Sequence, residues 1–176
     1  MTIATPLTIS VVIPVLNERE NLPATIAALH SCRGISQIIV ADGGSADGTL
    51  EWLQSEQAAR HTSQPTLTVI NAPRGKGPQV NAGASTAVGD VLLFLHADCL
   101  ITQAAVDALQ SALADPAVCG GGFYLRFAEP RPRSLRLVSW GINIRARARH
   151  SATGDQGIFL RRKIFHAIGG APDWPL

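Results

Sequence analysis

The sequence is poor in charge. Asp, Glu, Lys and Arg make up only 16% of it, against about a quarter in ordinary soluble domains. Its 15 basic and 13 acidic residues leave a net charge of only +2. That balance gives no footing for nucleic acid as a partner, and a hydrophobic content of 46% excludes a disordered chain. Cysteine is scarce as well. Cys32, Cys99 and Cys119 are odd in number, widely spaced and form no CxxC pair, which excludes a disulfide framework and fits a reducing, cytoplasmic setting. Long apolar runs are missing. The longest, Val91–Leu95, has the length of a buried strand, not the roughly 18–20 residues of a membrane span. No charged segment followed by an apolar one opens the chain, so no signal peptide is expected. There is no Walker A lysine pattern and no GxGxxG, which removes the main support for a kinase-like or dinucleotide-binding protein. Internal repeats are absent too.

What is present is an alternation of short apolar runs and helical stretches. Thr8–Pro14 is rich in β-branched residues and reads as a buried strand. Glu18–Ser31 carries Leu22, Ile26 and Leu29 at helical spacing. Gln37–Ala41 reads as a second strand and Ser45–Arg60 as a second helix, with Ser45 as N-cap and Asp47 in the first turn. Thr66–Ile70, Gln79–Val88, Asp90–Leu95 and Thr102–Ala114 continue the pattern as strand, helix, strand and helix, and Val118–Phe127 reads as a further strand. Such alternation predicts an α/β fold with mostly parallel strands, right-handed crossovers and helices on both faces. The 176 residues suffice for one domain with a substantial core. Residues 1–176 are expected to form that one domain, cut short at a terminus that reads as a loop in mid-course.

Ligands on such sheets bind beyond the carboxyl ends of the strands, which directs attention to four segments. Asp42-Gly43-Gly44-Ser45 offers a carboxylate for a base edge or ribose hydroxyls, with glycines that let a ligand approach the backbone; a plain turn with a helix cap is the bland alternative. Arg74-Gly75-Lys76-Gly77 sets two cations between glycines ahead of a helix, which suits a diphosphate, or is simply a solvated basic loop. His96-Ala97-Asp98 places two possible ligands on the same side of an extended chain. His96 and Asp98 together would hold a divalent ion, or Asp98 alone would hold it with a diphosphate completing the shell; a hydrogen-bonded core histidine is the bland reading of His96. Asp155, in Gly154-Asp155-Gln156-Gly157, would orient a sugar, act as a base, or serve as a turn residue.

Ile13-Pro14-Val15-Leu16-Asn17-Glu18, Val40–Thr49, Gly75-Lys76-Gly77 with Asn81-Ala82-Gly83, and His96-Ala97-Asp98 together resemble the family 2 glycosyltransferases of GT-A fold, in order and in spacing. Each motif is weak alone; four in register are specific. The His-Ala-Asp form and the later Gly-Asp-Gln-Gly look like a group of small, stand-alone bacterial members associated by name with radical-SAM and arsenosugar pathways. The resemblance implies that Pro14, Leu16 and Glu18 line a nucleoside pocket, with Asn17, Gly43 and Ala97 also at the nucleotide sugar. It implies that Asp42 holds the base or its ribose, that Lys76 lies near the base or diphosphate, and that Asp98 is the metal-binding aspartate of the DxD motif, with Mn2+ or Mg2+ as the ion. The implied reaction is transfer of a sugar from a nucleotide sugar, UDP-linked by resemblance, to an acceptor hydroxyl with inversion.

Two departures from the family pattern stand out. His96 replaces one carboxylate of the DxD motif, and no Glu-Asp pair follows Gly169-Gly170-Ala171. Asp155 and Asp173 are then the acidic candidates left for the catalytic role, and Asp155 reads better as an acceptor-site residue. The alternatives are a catalytically incomplete nucleotide-sugar-binding module and, third, a nucleotidyltransferase, which would want a glycine- and arginine-rich loop where Pro14–Glu18 stands. The acceptor is an unidentified small molecule, lipid or glycan. The basic stretch Arg131–His150 reads as a solvated helix packing Leu135, Val138 and Ile142, with weak contact to an anionic membrane surface as the other reading.

Overall fold

The computed structural model describes residues 6–59, 64–124 and 157–172. Six strands form one sheet: β1 (Ile9–Val15), β2 (Ile35–Asp42), β3 (Thr66–Asn71), β4 (Val91–Phe94), β5 (Gly120–Gly122) and β6 (Ile158–Arg161). Five helices accompany them: α1 (Leu22–His30), α2 (Thr49–Ala59), α3 (Lys76–Thr86), α4 (Gln103–Leu113) and α5 (Arg162–Ala167). The spatial order is β3-β2-β1-β4-β6-β5. Strands β3, β2, β1 and β4 run parallel, while β6 pairs antiparallel with both β4 and β5. The expected α/β architecture with a mostly parallel sheet is the one observed.

The strands at the centre are mostly apolar because both faces are covered, with Ser10 of β1 and Gln37 of β2 hydrogen-bonded to each other as buried exceptions. Side chains alternate between two cores. Ile9, Val11, Ile13 and Val15 of β1 face one core with Leu22, Ile26 and Leu29 of α1, Leu53 of α2, and Val106, Leu109 and Leu113 of α4. Val12 of β1, Ile39 of β2 and Leu92 of β4 face the other, with Ala84 of α3 and Phe165 of α5. Helix α4 follows its sequence closely: Thr102 is the N-cap and its side chain accepts from the Ala105 amide, which meets one of the orphan donors of the first turn.

Three boundaries depart from expectation. Helix α2 begins at Thr49, not Ser45, because the Ser45 hydroxyl donates to Asp42 and its oxygen accepts the Asn17 amide instead of capping a helix. Helix α3 begins at Lys76 rather than Gln79; Pro78 is tolerated because first-turn amides need no helical partner. Helix α1 starts at Leu22, with Pro23 in its first turn, rather than at Glu18. In the expected strand Val118–Phe127 only Gly120–Gly122 is strand among the described residues. The basic stretch Arg131–His150, Asp155 and Asp173 lie outside the described residues.

At the opposite end of the sheet from these boundaries, Asp90 clasps the start of β1. Its Oδ2 accepts from the Thr8 amide (2.9 Å) and the Thr8 hydroxyl (2.8 Å), and its own amide donates back to Thr8 Oγ1 (3.1 Å). The Thr8 bonds, backbone first, and then the nearby Arg162 charge hold the Asp90 carboxyl below its usual range. A carboxyl with a lowered folded pKa stabilises above its unfolded value, about 3.9, and that contribution is lost as pH falls through the folded value. Thermal unfolding followed from pH 6 to pH 3 should therefore show a shallower acid loss for Asp90→Asn than for the wild type. Parallel curves would refute the clasp.

Candidate functional site

The chain runs from β1 outward through β2 to β3, then returns to place β4 on the other side of β1. This reversal lies between β1 and β4, and the region beyond the carboxyl ends of the strands at such a point is where doubly wound sheets take ligands, the candidate crevice of this sheet. The loops after β1, β2 and β4 and the loop from β3 into α3 leave from that same end of the sheet.

The loop after β1 is stitched to the loop after β2 residue by residue. Asn17 donates its amide to Ser45 Oγ (2.9 Å) and accepts the Ala46 amide at Oδ1 (2.8 Å). The Glu18 amide donates to Thr49 Oγ1 (3.0 Å), and the Arg19 amide to Asp47 Oδ2 (3.1 Å). Asn17 sits at φ 58, a left-handed conformation that Asn tolerates better than most residues. The bond from the Thr49 hydroxyl, followed by amides of Arg19 and Thr49, keeps the Asp47 carboxyl below its usual range. The Glu18 side chain accepts from Asn21 Nδ2 (2.9 Å).

Asp42 ends β2 and is almost fully buried, at 2% exposure. Its Oδ2 accepts from the amides of Gly44 (2.9 Å) and Ser45 (3.0 Å), and its Oδ1 accepts from the Ser45 hydroxyl. The carboxylate thus organises the Gly43–Ser45 turn first; what it could offer a ligand is its remaining lone pairs.

Sequence reasoning missed Gln79. Its side chain is buried beneath the strand ends, and its Nε2 donates to the carbonyls of Val15 and Ala41, both at 2.7 Å. One amide group therefore ties the end of β1 to the end of β2. Gly43 is glycine in the same spot: a Cβ there would stand 3.1 Å from the Gln79 amide group. Nothing in the local sequence marks this residue, since its partners lie far away along the chain.

The segment after β4 corrects an expectation. His96 and Asp98 are not two apart on an extended strand: β4 ends at Phe94, and a turn closes with the Cys99 amide donating to the His96 carbonyl (3.1 Å). Ala97 is buried, and its carbonyl accepts from Thr25 Oγ1 of α1 (2.6 Å), which holds the turn against the core. Asp98 is left exposed at the rim, with Cys99 Sγ near its Oδ1. Lys76, at the first position of α3, donates from Nζ to Nε2 of His96. Pro14 and Leu16 lie partly buried along the crevice at the end of β1.

Among the described residues no group of three His, Cys, Asp or Glu side chains could hold a metal ion. Asp98, in the turn after β4, is an exposed carboxylate. That fits Mg2+ or Mn2+ taking most ligands from substrate phosphates and water, and it does not fit an ion caged by protein alone. No helix among the described residues is long and apolar enough to cross a membrane.

Comparisons with known proteins bear on the fold and the family. The chain is similar to a mannosyltransferase from Pyrobaculum calidifontis solved with GDP-Man and Mn2+, at a TM-score of 0.74 and 21% identity over 97% of this chain and 49% of that one. It is also similar to residues 1–349 of S. aureus TarS solved with UDP, at a TM-score of 0.69 and 15% identity over 92% of this chain and 49% of that one. These likenesses establish the GT-A fold. In sequence it is 40% identical over 94 residues to the undecaprenyl-phosphate 4-deoxy-4-formamido-L-arabinose transferase of Pectobacterium carotovorum, over 51% of this chain. The match spans only 28% of that relative's length. Residues 10–169 match the family described as Glycosyl transferase family 2; the chain belongs to that family.

Proposed function

We propose that this crevice binds a nucleoside diphosphate sugar, UDP-linked by preference, and that the protein of which it is part transfers the sugar with inversion. What supports the reading is that Glu18, Asp42 and Asp98 stand at or just past the carboxyl ends of the parallel strands β1, β2 and β4, and that Lys76, at the start of α3, reaches His96 in the segment before Asp98. Pro14, Leu16, Asn17 and Glu18 would border the nucleoside, with Asp42 and Gly43 at the base or ribose. Lys76 would neutralise diphosphate oxygens, aided by the amides that open α3. Ala97 would pack beside the donor, and Asp98 would hold Mn2+ or Mg2+. The bound ion would supply positive charge to the departing diphosphate.

The remaining chemistry is one displacement. An acceptor oxygen attacks the anomeric carbon, the bond from that carbon to the diphosphate oxygen breaks, and the nucleoside diphosphate leaves with the electron pair. A carboxylate receives the acceptor's proton, and Asp155 is the proposed acceptor-side carboxylate. The relatives' names support an acceptor oxygen borne by a lipid phosphate as one choice, beside a sugar or small-molecule hydroxyl.

Release of UDP from UDP-sugars in the presence of Mn2+ tests the reading, and a protein inert with every nucleotide sugar would end it. Asp155→Asn should leave UDP affinity within about twofold of wild type while lowering transfer about 10²–10⁴-fold. Equal loss of binding and transfer would place Asp155 in the donor site instead.

A further inference from the structure

The Lys76–His96 contact decides what His96 can be. An ammonium has three N–H donors and no acceptor, so the hydrogen bond runs from Lys76 Nζ to His96 Nε2. A neutral imidazole that accepts at Nε2 carries its proton on Nδ1. Neither ring nitrogen then has a lone pair left for a metal ion. A dication seated on His96 would have to displace the ammonium and would stand close to its like charge. Lys76 itself is exposed at the first position of α3, with two N–H donors beyond the one given to His96.

We propose that His96 is a positioning residue that holds the Lys76 ammonium toward the diphosphate, and that Asp98 alone of the pair ligates the cation. The inference rests on the diphosphate reading above and assigns the work within it. The turn closed between His96 and Cys99 fixes the imidazole, the imidazole fixes the ammonium, and Asp98 occupies the exposed corner of the same turn. The turn after β4 thus holds a cation borne by α3 and itself offers a carboxylate for a metal.

The test has one readout that needs no ligand. Two-bond ¹H–¹⁵N correlation on the labelled protein reports the His96 tautomer, which should be Nδ1–H in the wild type and shift toward Nε2–H in Lys76→Met. Calorimetry with UDP should show Lys76→Met and His96→Ala each weakening binding about tenfold. The double variant should be no weaker than Lys76→Met, and His96→Gln, which keeps an acceptor for the ammonium, should recover most of the affinity. Electron paramagnetic resonance should give a Mn2+ affinity for the UDP complex that His96→Ala leaves unchanged and Asp98→Ala removes. An Nε2–H ring in a wild type that binds UDP would overturn the inference alone, as would additive losses or Mn2+ binding weakened as much by His96→Ala as by Asp98→Ala. An Nδ1–H ring in a protein that binds no UDP would overturn the diphosphate reading and this role with it.

Discussion

Asp98→Ala should lower transfer from a nucleotide sugar by about 10²–10³-fold, the usual cost of removing one group that stabilises developing charge. The carboxylate is exposed at the mouth of the crevice, in a turn anchored through the Ala97 carbonyl to Thr25 and closed by the Cys99 amide. Its side chain is no part of that anchoring, so its loss should leave folding intact. Thermal unfolding without ligand should therefore match the wild type while activity falls and added Mn2+ no longer raises it. A variant that keeps its Mn2+ response would move the metal away from Asp98.

Gly83→Ala should overpack the core and cost stability out of proportion to one methyl group. Helix α3 lies so close to the sheet that a Cβ at Gly83 would stand 2.4 Å from Val12 Cγ1. Val12 is fully buried in the core that also holds Ile39, Ala84 and Leu92, and a β-branched side chain in mid-strand has little freedom to rotate away. The better helix propensity of alanine, about 1 kcal/mol over glycine, offsets only part of the strain. Overpacking of this kind costs about 1–3 kcal/mol, and for a chain of this size each kcal/mol moves Tm by about 2–4 °C. Val12→Ala, destabilising by itself, should remove most of the added loss when combined with Gly83→Ala. Additive losses would show that the helix can simply shift outward. Since α3 carries Lys76 and Gln79, such a shift should also weaken UDP binding.

How far the sequence alone carries is visible in particular residues. The β-branched run of β1 and the periodic Val106, Leu109 and Leu113 of α4, capped by Thr102, were legible because local pattern and burial agree there. The strand ends that carry the candidate site residues were legible as well, since short apolar runs and loop composition mark them. Contacts between segments were not. Ser45 has the composition of a helix cap, but Asp42 and Asn17 compete for its hydroxyl and the helix starts later. Gln79 reaches carbonyls 64 and 38 residues away, and no spacing rule records such a bond. Strand β6 reads only as a short apolar segment, because its place between β4 and β5 is set by antiparallel pairing. His96 and Asp98 were singled out by position; the turn that takes them off an extended strand was not.

UDP binding measured by calorimetry, with and without Mn2+, tests the central claim most directly. The crevice as described should bind UDP with Mn2+ at least about tenfold more tightly than without it, and Asp98→Ala should erase the difference while retaining the metal-independent part. Equal affinity with and without Mn2+ would contradict the metal assignment, and no binding under either condition would contradict the donor site itself.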